Sequence, residues 1–75
     1  MNLIAKNKKN QSKVNRCISA LTRYNTLNDL RDVADNEGNE KEVKKYNRLC
    51  ENVFDKYLNY LSELPKYEQV NIEKL

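Results

Sequence analysis

The sequence predicts an all-α protein, a small antiparallel three-helix arrangement with helices over residues 12–24, 27–35 and 40–64, able to dimerise into a helical bundle. Three observations predict it. Residues 40–64 read as one uninterrupted helix, with Val43, Tyr46, Cys50, Val53, Tyr57, Tyr60 and Leu64 at alternating steps of three and four. That is the a/d spacing of a helix seam. Gly and Pro occur once each in 75 residues, too little punctuation for the turns of an all-β chain. Charged residues make up 33% of the chain, as solvated helix faces require. So short a chain is one domain at most, and it leans on regular helix packing or self-association for stability.

Residues 1–11 are expected to form a basic flexible arm, mobile in its first residues, in which Leu3 and Ile4 are isolated apolar residues; a clip of these two onto the bundle is the alternative. The first helix opens at Ser12, a suitable N-cap. Its apolar face, Val14, Cys17, Ile18, Leu21 and Tyr24, spans about 120° of the helix wheel. Lys9, Lys13, Arg16 and Arg23 gather on another face. The period then changes, because Leu21, Tyr24, Leu27, Leu30 and Val33 are spaced by three. On a straight helix each such step turns the stripe by about −60°, or roughly 240° in all, more than one flat neighbour covers. This predicts a break at Asn25-Thr26, with Thr26 and Asp29 as a helix-start box. The second helix then turns Leu27, Leu30, Val33 and Ala34 inward.

Asn36-Glu37-Gly38-Asn39 is the clearest turn. Gly38 suits the positive φ that ends a helix, and Asn39 suits the cap of the next one. The stretch Asp35 to Glu40 does not satisfy the calcium-loop pattern, which places Gly at the sixth position where Glu40 stands. The third helix, 25 residues and about 37 Å long, is the longest, and the first two lie back along it. Pro65 ends it, since the residue before a proline is biased out of the helical region. The domain therefore covers residues 12–65. The tail, residues 66–75, has Tyr67, Val70, Ile72 and Leu75 at no clear period and reads as coil or a short docked turn.

The net charge of +3 conceals a segregation. Residues 1–24 hold Lys6, Lys8, Lys9, Lys13, Arg16 and Arg23 and no acid. Residues 25–42 hold six carboxylates against Arg31 and Lys41. Either the two parts neutralise each other in the fold, or the basic part meets a polyanion. Twelve Asn, ten Lys, five Tyr and three Ile point to an A/T-rich genome, which fits a phage or plasmid modulator of a host protein. The apolar run at Met1–Ala5 is too short for a signal-peptide core, and no transmembrane run follows. The expected location is the cytoplasm, with both thiols reduced.

Catalysis is not expected. With no His, no histidine triad or dyad forms. Cys17 and Cys50 lie on apolar helix faces, where Cys behaves as a small hydrophobe. No cofactor, metal or small-molecule substrate is implied. The apolar arc of the third helix is wider than one neighbour needs. Tyr46, Leu49, Val53, Tyr57, Tyr60 and Leu64 are the candidate partner-binding face, because tyrosine carries a polar tip on a large apolar ring and is enriched at interfaces. In that reading Phe54, Leu58 and Leu61 meet the first two helices. The expected function is thus a small regulatory protein that binds a protein partner or itself. The alternative is nucleic-acid binding through Lys6, Lys8, Lys9, Lys13, Arg16 and Arg23, aided by Lys41, Lys44, Lys45 and Arg48 on the back of the third helix.

The heptad of residues 43–64 and the chain length are similar to those of Rop-type plasmid copy-number regulators, helical hairpins that dimerise and bind RNA pairs. The period change at Asn25-Thr26 departs from their long first helix. The stretch Thr26-Leu27-Asn28-Asp29-Leu30, with Asn39-Glu40, Tyr46 and a helix ending at Pro65, resembles the layout of Hha-type nucleoid modulators, though the spacings need gaps. Neither resemblance supplies a motif, so no family is recognised and no residue role is carried over.

Overall fold

The computed structural model describes residues 3–74; Met1, Asn2 and Leu75, from the ends of the expected arm and tail, lie outside the described residues. The chain is an antiparallel hairpin of two long helices, with a short helix and the N-terminal segment folded across its open end. A 3-10 turn at Lys8–Asn10 runs into α1, Gln11–Asn36. Then follow α2, Glu40–Ser62, and α3, Lys66–Glu73. Among the described residues there is no strand.

The expected break at Asn25-Thr26 does not occur. The first two predicted helices are one, and α1, with 26 residues against 23 in α2, is the longest element. The physical reason lies in which residues face α2. Cys17, Ala20, Tyr24, Leu27, Arg31 and Ala34 fall at alternating steps of three and four, and all are buried or half-buried. That is a straight seam, but two of its members are alanines and one is an arginine. The bulkier Leu30 and Val33 belong to another face and stay 42% and 53% exposed. Thr26 caps nothing: its hydroxyl donates back to the Thr22 carbonyl at 3.1 Å, inside the helix.

Three side-chain pairs fix the hairpin register. The Tyr24 and Phe54 rings lie 5.3 Å apart. The Cys50 thiol donates to Asn28 Oδ1 at 3.6 Å. Arg31 Nη1 donates to Asn47 Oδ1 at 3.1 Å. Each step toward the turn on α1 matches an equal step on α2.

The turn is as expected. Gly38 sits at φ +72°. The Asn39 amide bonds the Ala34 carbonyl at 2.9 Å and the Gly38 amide bonds the Asp35 carbonyl at 3.0 Å, the Schellman pattern that satisfies the last carbonyls of a helix. Asn39 Oδ1 accepts from the Glu42 amide at 3.2 Å and caps α2.

Two segments are more ordered than expected. Pro65 ends α2 but also begins α3: at φ −60° and ψ 153° its carbonyl accepts from the Glu68 and Gln69 amides at 3.0 and 3.1 Å. The tail is therefore a helix, not coil. Its period is hidden in the sequence because one inward position is a glutamate. Glu68 and Ile72, one turn apart, are fully buried, while Tyr67 and Val70 face outward. The N-terminal segment is pinned rather than free. Gln11 Oε1 accepts from the Ala5 amide at 2.8 Å, and Gln11 Nε2 donates to the Leu3 carbonyl at 3.0 Å. The Glu68 carboxylate accepts from the Lys6 amide at 2.8 Å, the Asn7 amide at 3.3 Å and Asn10 Nδ2 at 3.1 Å. Ala5 is buried and Leu3 packs on the core, but Ile4 points into solvent.

The result is one layer of helices, 45 × 20 × 16 Å. The radius of gyration is 14.4 Å, against about 11 Å for a compact chain of this length. The accessible surface is 5562 Å², against about 4,800 Å² for a compact monomer of 8.9 kDa.

Candidate interaction surfaces

The six residues of the predicted partner face do not form one exposed surface. Val53, Tyr57 and Leu64 are buried in the chain's own core, while Tyr46, Leu49 and Tyr60 are half-buried at its margin. The expectation that Phe54, Leu58 and Leu61 would be the covered edge is corrected. Leu61 is in the core, but Phe54 and Leu58 remain 39% and 45% exposed. Phe54 does meet α1, through Tyr24, and its ring lies 5.9 Å from that of Tyr57. The α2 helix is rotated about its axis so that Tyr57, not Phe54, points between the other elements. Tyr57 joins a core cluster whose α1 members include the small Cys17 and Ala20.

Phe54 and Leu58, one turn apart, with Tyr24 beside them, make an apolar edge that the chain leaves partly exposed. A shallow depression next to it is lined by Arg31, Asn47, Cys50 and Glu51. Leu30 and Val33 expose a second apolar spot on α1. Tyr67 and Val70 expose a third on α3.

The predicted basic residues divide into two groups. Lys6, Lys8, Lys9, Lys13, Arg16 and Arg23 lie toward the open end, all exposed. Lys41, Lys44, Lys45 and Arg48 lie near the turn. There Lys44 lines a depression with Asp35 and Glu40, and Lys45 Nζ sits 5.7 Å from the centre of the Tyr46 ring, within cation–π range. The fold does not join the groups. It does something the sequence reading missed: it brings Lys56 of α2 to the same groove as Arg16 and Arg23 of α1. This groove, about 450 Å³, has Ala20 and Val53 on its floor and Ser12, Asn15, Ser19 and Tyr60 on its walls. Lys56 stands three residues after Val53 and four before Tyr60, on one α2 face. Helix faces read one at a time do not reveal it; the antiparallel register does.

The buried titratable groups are held in their ordinary forms. Burial pushes the Cys17 thiol up, and the Glu63 carboxylate adds to this, so the thiol stays protonated and is a poor nucleophile. Burial, then Cys17 and Glu73, pushes the Tyr57 hydroxyl up. Both cysteines are free and buried. Cys50 contacts Asn28, eleven residues along α1 from Cys17, so the two sulfurs lie on the order of 15 Å apart, far outside disulfide reach. At Glu68 burial alone would raise the carboxyl. The Lys6 and Asn7 amides, the Asn10 side chain and the Lys6 charge outweigh it and hold the group below the usual carboxylate range.

No helix among the described residues is long and apolar enough to cross a membrane. No family model, curated protein or solved structure matches the chain.

Proposed function

We propose that the chain is a non-enzymatic interaction protein, a single-layer hairpin completed by a second helical layer laid over the Phe54–Leu58 edge. The occupant is a second copy of the chain, and its role is regulatory binding rather than chemistry. The observation that carries this reading is the excess surface. The chain exposes about 750 Å² more than a compact monomer of its mass, close to the ~800 Å² that each partner contributes to a standard interface. Phe54 and Leu58 supply the apolar centre such a contact needs, with Arg31 and Glu51 as its polar rim. Of the Tyr-edged face first read from α2, Tyr46 and Leu49 stay half-buried against the chain's own core, and Tyr60 lines a separate groove with Arg16, Arg23 and Lys56, outside this contact.

Sedimentation equilibrium over a wide concentration range tests the reading. The wild-type chain is expected to exceed 8.9 kDa as concentration rises. Phe54→Lys with Leu58→Lys should stay helical and monomeric, since both sites are exposed and lysine is a good helix former. Losing a central interface anchor costs roughly 2 kcal/mol or more, about thirtyfold in the dimer constant. A wild-type chain that remains monomeric throughout would remove the second copy as the occupant.

A further inference from the structure

We propose that the groove between α1 and α2 bearing Arg16, Arg23 and Lys56 binds the phosphodiester backbone of a single-stranded nucleic acid, with Tyr60 as a stacking platform. The groove does not depend on the Phe54–Leu58 edge, and either proposal stands if the other fails.

Charge carries the first part. Arg16 and Arg23 are seven residues apart on one helix face, about 10 Å along the axis, and Lys56 reaches the same groove from the opposite helix. Among the described residues the single salt bridge is Arg31–Asp32. None of the three groove cations meets a carboxylate or accepts a fixed side-chain partner. Of the six acids of residues 25–42, Asp29 stands six residues along α1 from Arg23, about 9 Å, and the other five lie further toward the turn; none of the six lines the groove or pairs with its cations. They therefore do not neutralise the groove. Three like charges brought together without counter-charges oppose folding slightly and favour an anion.

Shape and lining carry the second part. Ala20 and Val53 keep the floor low and apolar, so a ligand approaches both helices closely. Ser12 and Ser19 add hydroxyl donors along the α1 wall, each one turn from Arg16. The half-buried Tyr60 ring stands at the wall, and an aromatic beside a cationic track is how proteins hold unpaired strands. A groove of about 450 Å³ admits a backbone and a splayed base, whereas a duplex would only rest on its rim. Arginine's fork, twice repeated, suits phosphate oxygens.

The test is fluorescence anisotropy with labelled homopolymer single strands of RNA and of DNA, a duplex of equal length, and polyglutamate as competitor. Single strands are expected to bind most tightly, with a log–log salt slope of about −2 from three phosphate contacts. RNA and DNA should differ little, because the lining reads backbone and ring rather than the 2′-hydroxyl. Arg16→Gln, Arg23→Gln and Lys56→Gln together should weaken binding roughly tenfold or more and flatten the slope. Circular dichroism should stay unchanged, since all three side chains are exposed. Tyr60→Leu should weaken binding roughly fivefold to a hundredfold, leaving the slope intact, because it removes stacking and keeps apolar packing. Lys44→Gln with Lys45→Gln, near the turn, should change nothing. No single-strand binding at about 50 mM salt, preference for the duplex, equal displacement by polyglutamate, or loss of binding only in the Lys44/Lys45 variant would each overturn the proposal.

Discussion

Glu68 is a buried carboxylate with no exposure, and it is met by donors from a segment 58 to 62 residues away. Its folded-state pKa lies below the ordinary value. Such a group stabilises the fold fully above its unfolded pKa and loses that contribution as pH falls through the folded one. The wild-type chain should therefore lose thermal stability as pH drops below about 4.5, the ordinary value. Glu68→Gln should be less stable at neutral pH, because its amide presents a donor to the Lys6 and Asn7 amides, and the gap between the two proteins should close in acid. Melting curves at several pH values check this, and comparing the pair removes the titration of the other carboxylates. Ile72, one turn on, is 1% exposed, and Ile72→Ala should cost about 2–5 kcal/mol, read by urea denaturation. The same two residues show why α3 was hard to read. An apolar pattern gives weight to Tyr67 and Val70, which face water, and none to Glu68, which faces inward. Only a partner 62 residues away makes a glutamate an inward residue, and a local pattern holds no trace of it.

At the scale of the element, the turn and α2 were legible and the continuity of α1 was not. Gly38 and Asn39 act through local backbone chemistry, which the sequence displays directly. The inward face of α2 is marked by large residues at regular spacing. The inward face of α1 is marked by Ala20, Ala34 and Arg31, whose places are set by how closely α2 approaches and by Asn47. Two substitutions separate these cases. Thr26→Ala would cost about 1 kcal/mol if Thr26 capped a helix; inside a continuous α1 it should be neutral or slightly stabilising, since alanine is the better helix former. Chemical denaturation gives the sign. Gly38→Ala should cost about 1–2 kcal/mol through its left-handed backbone alone, because a Cβ there meets no atom within 4 Å. Gly38→Asn should lose less, as asparagine tolerates that region.

At the scale of the whole molecule, one thin layer explains both proposed contacts: each broad face of the hairpin keeps a feature the chain does not use. If a second copy covers the Phe54–Leu58 edge, the melting temperature must rise with protein concentration, which calorimetry at two concentrations reads. The sequence predicted that residues 40–64 offer more apolar surface than one neighbour covers, to be closed by three-helix packing or by a second contact, and located where the cations are concentrated. It misplaced the open edge by a rotation of α2, because Tyr57 and Phe54 both belong to the apolar arc and only packing decides between them. The clasp at Glu68 has one more consequence, in the order of folding. Only three residues join α1 to α2, whereas the Lys6 and Asn7 amides reach Glu68 across 62 and 61 residues, the costlier loop to close. The open end is therefore expected to close last and open first, separately from the α1–α2 seam. During synthesis, those two amides have no partner until residue 68 has left the ribosome. Native-state hydrogen exchange should show the amides of Lys6, Asn7 and α3 opening together, at a lower free energy than Cys17, Leu27 and Val53.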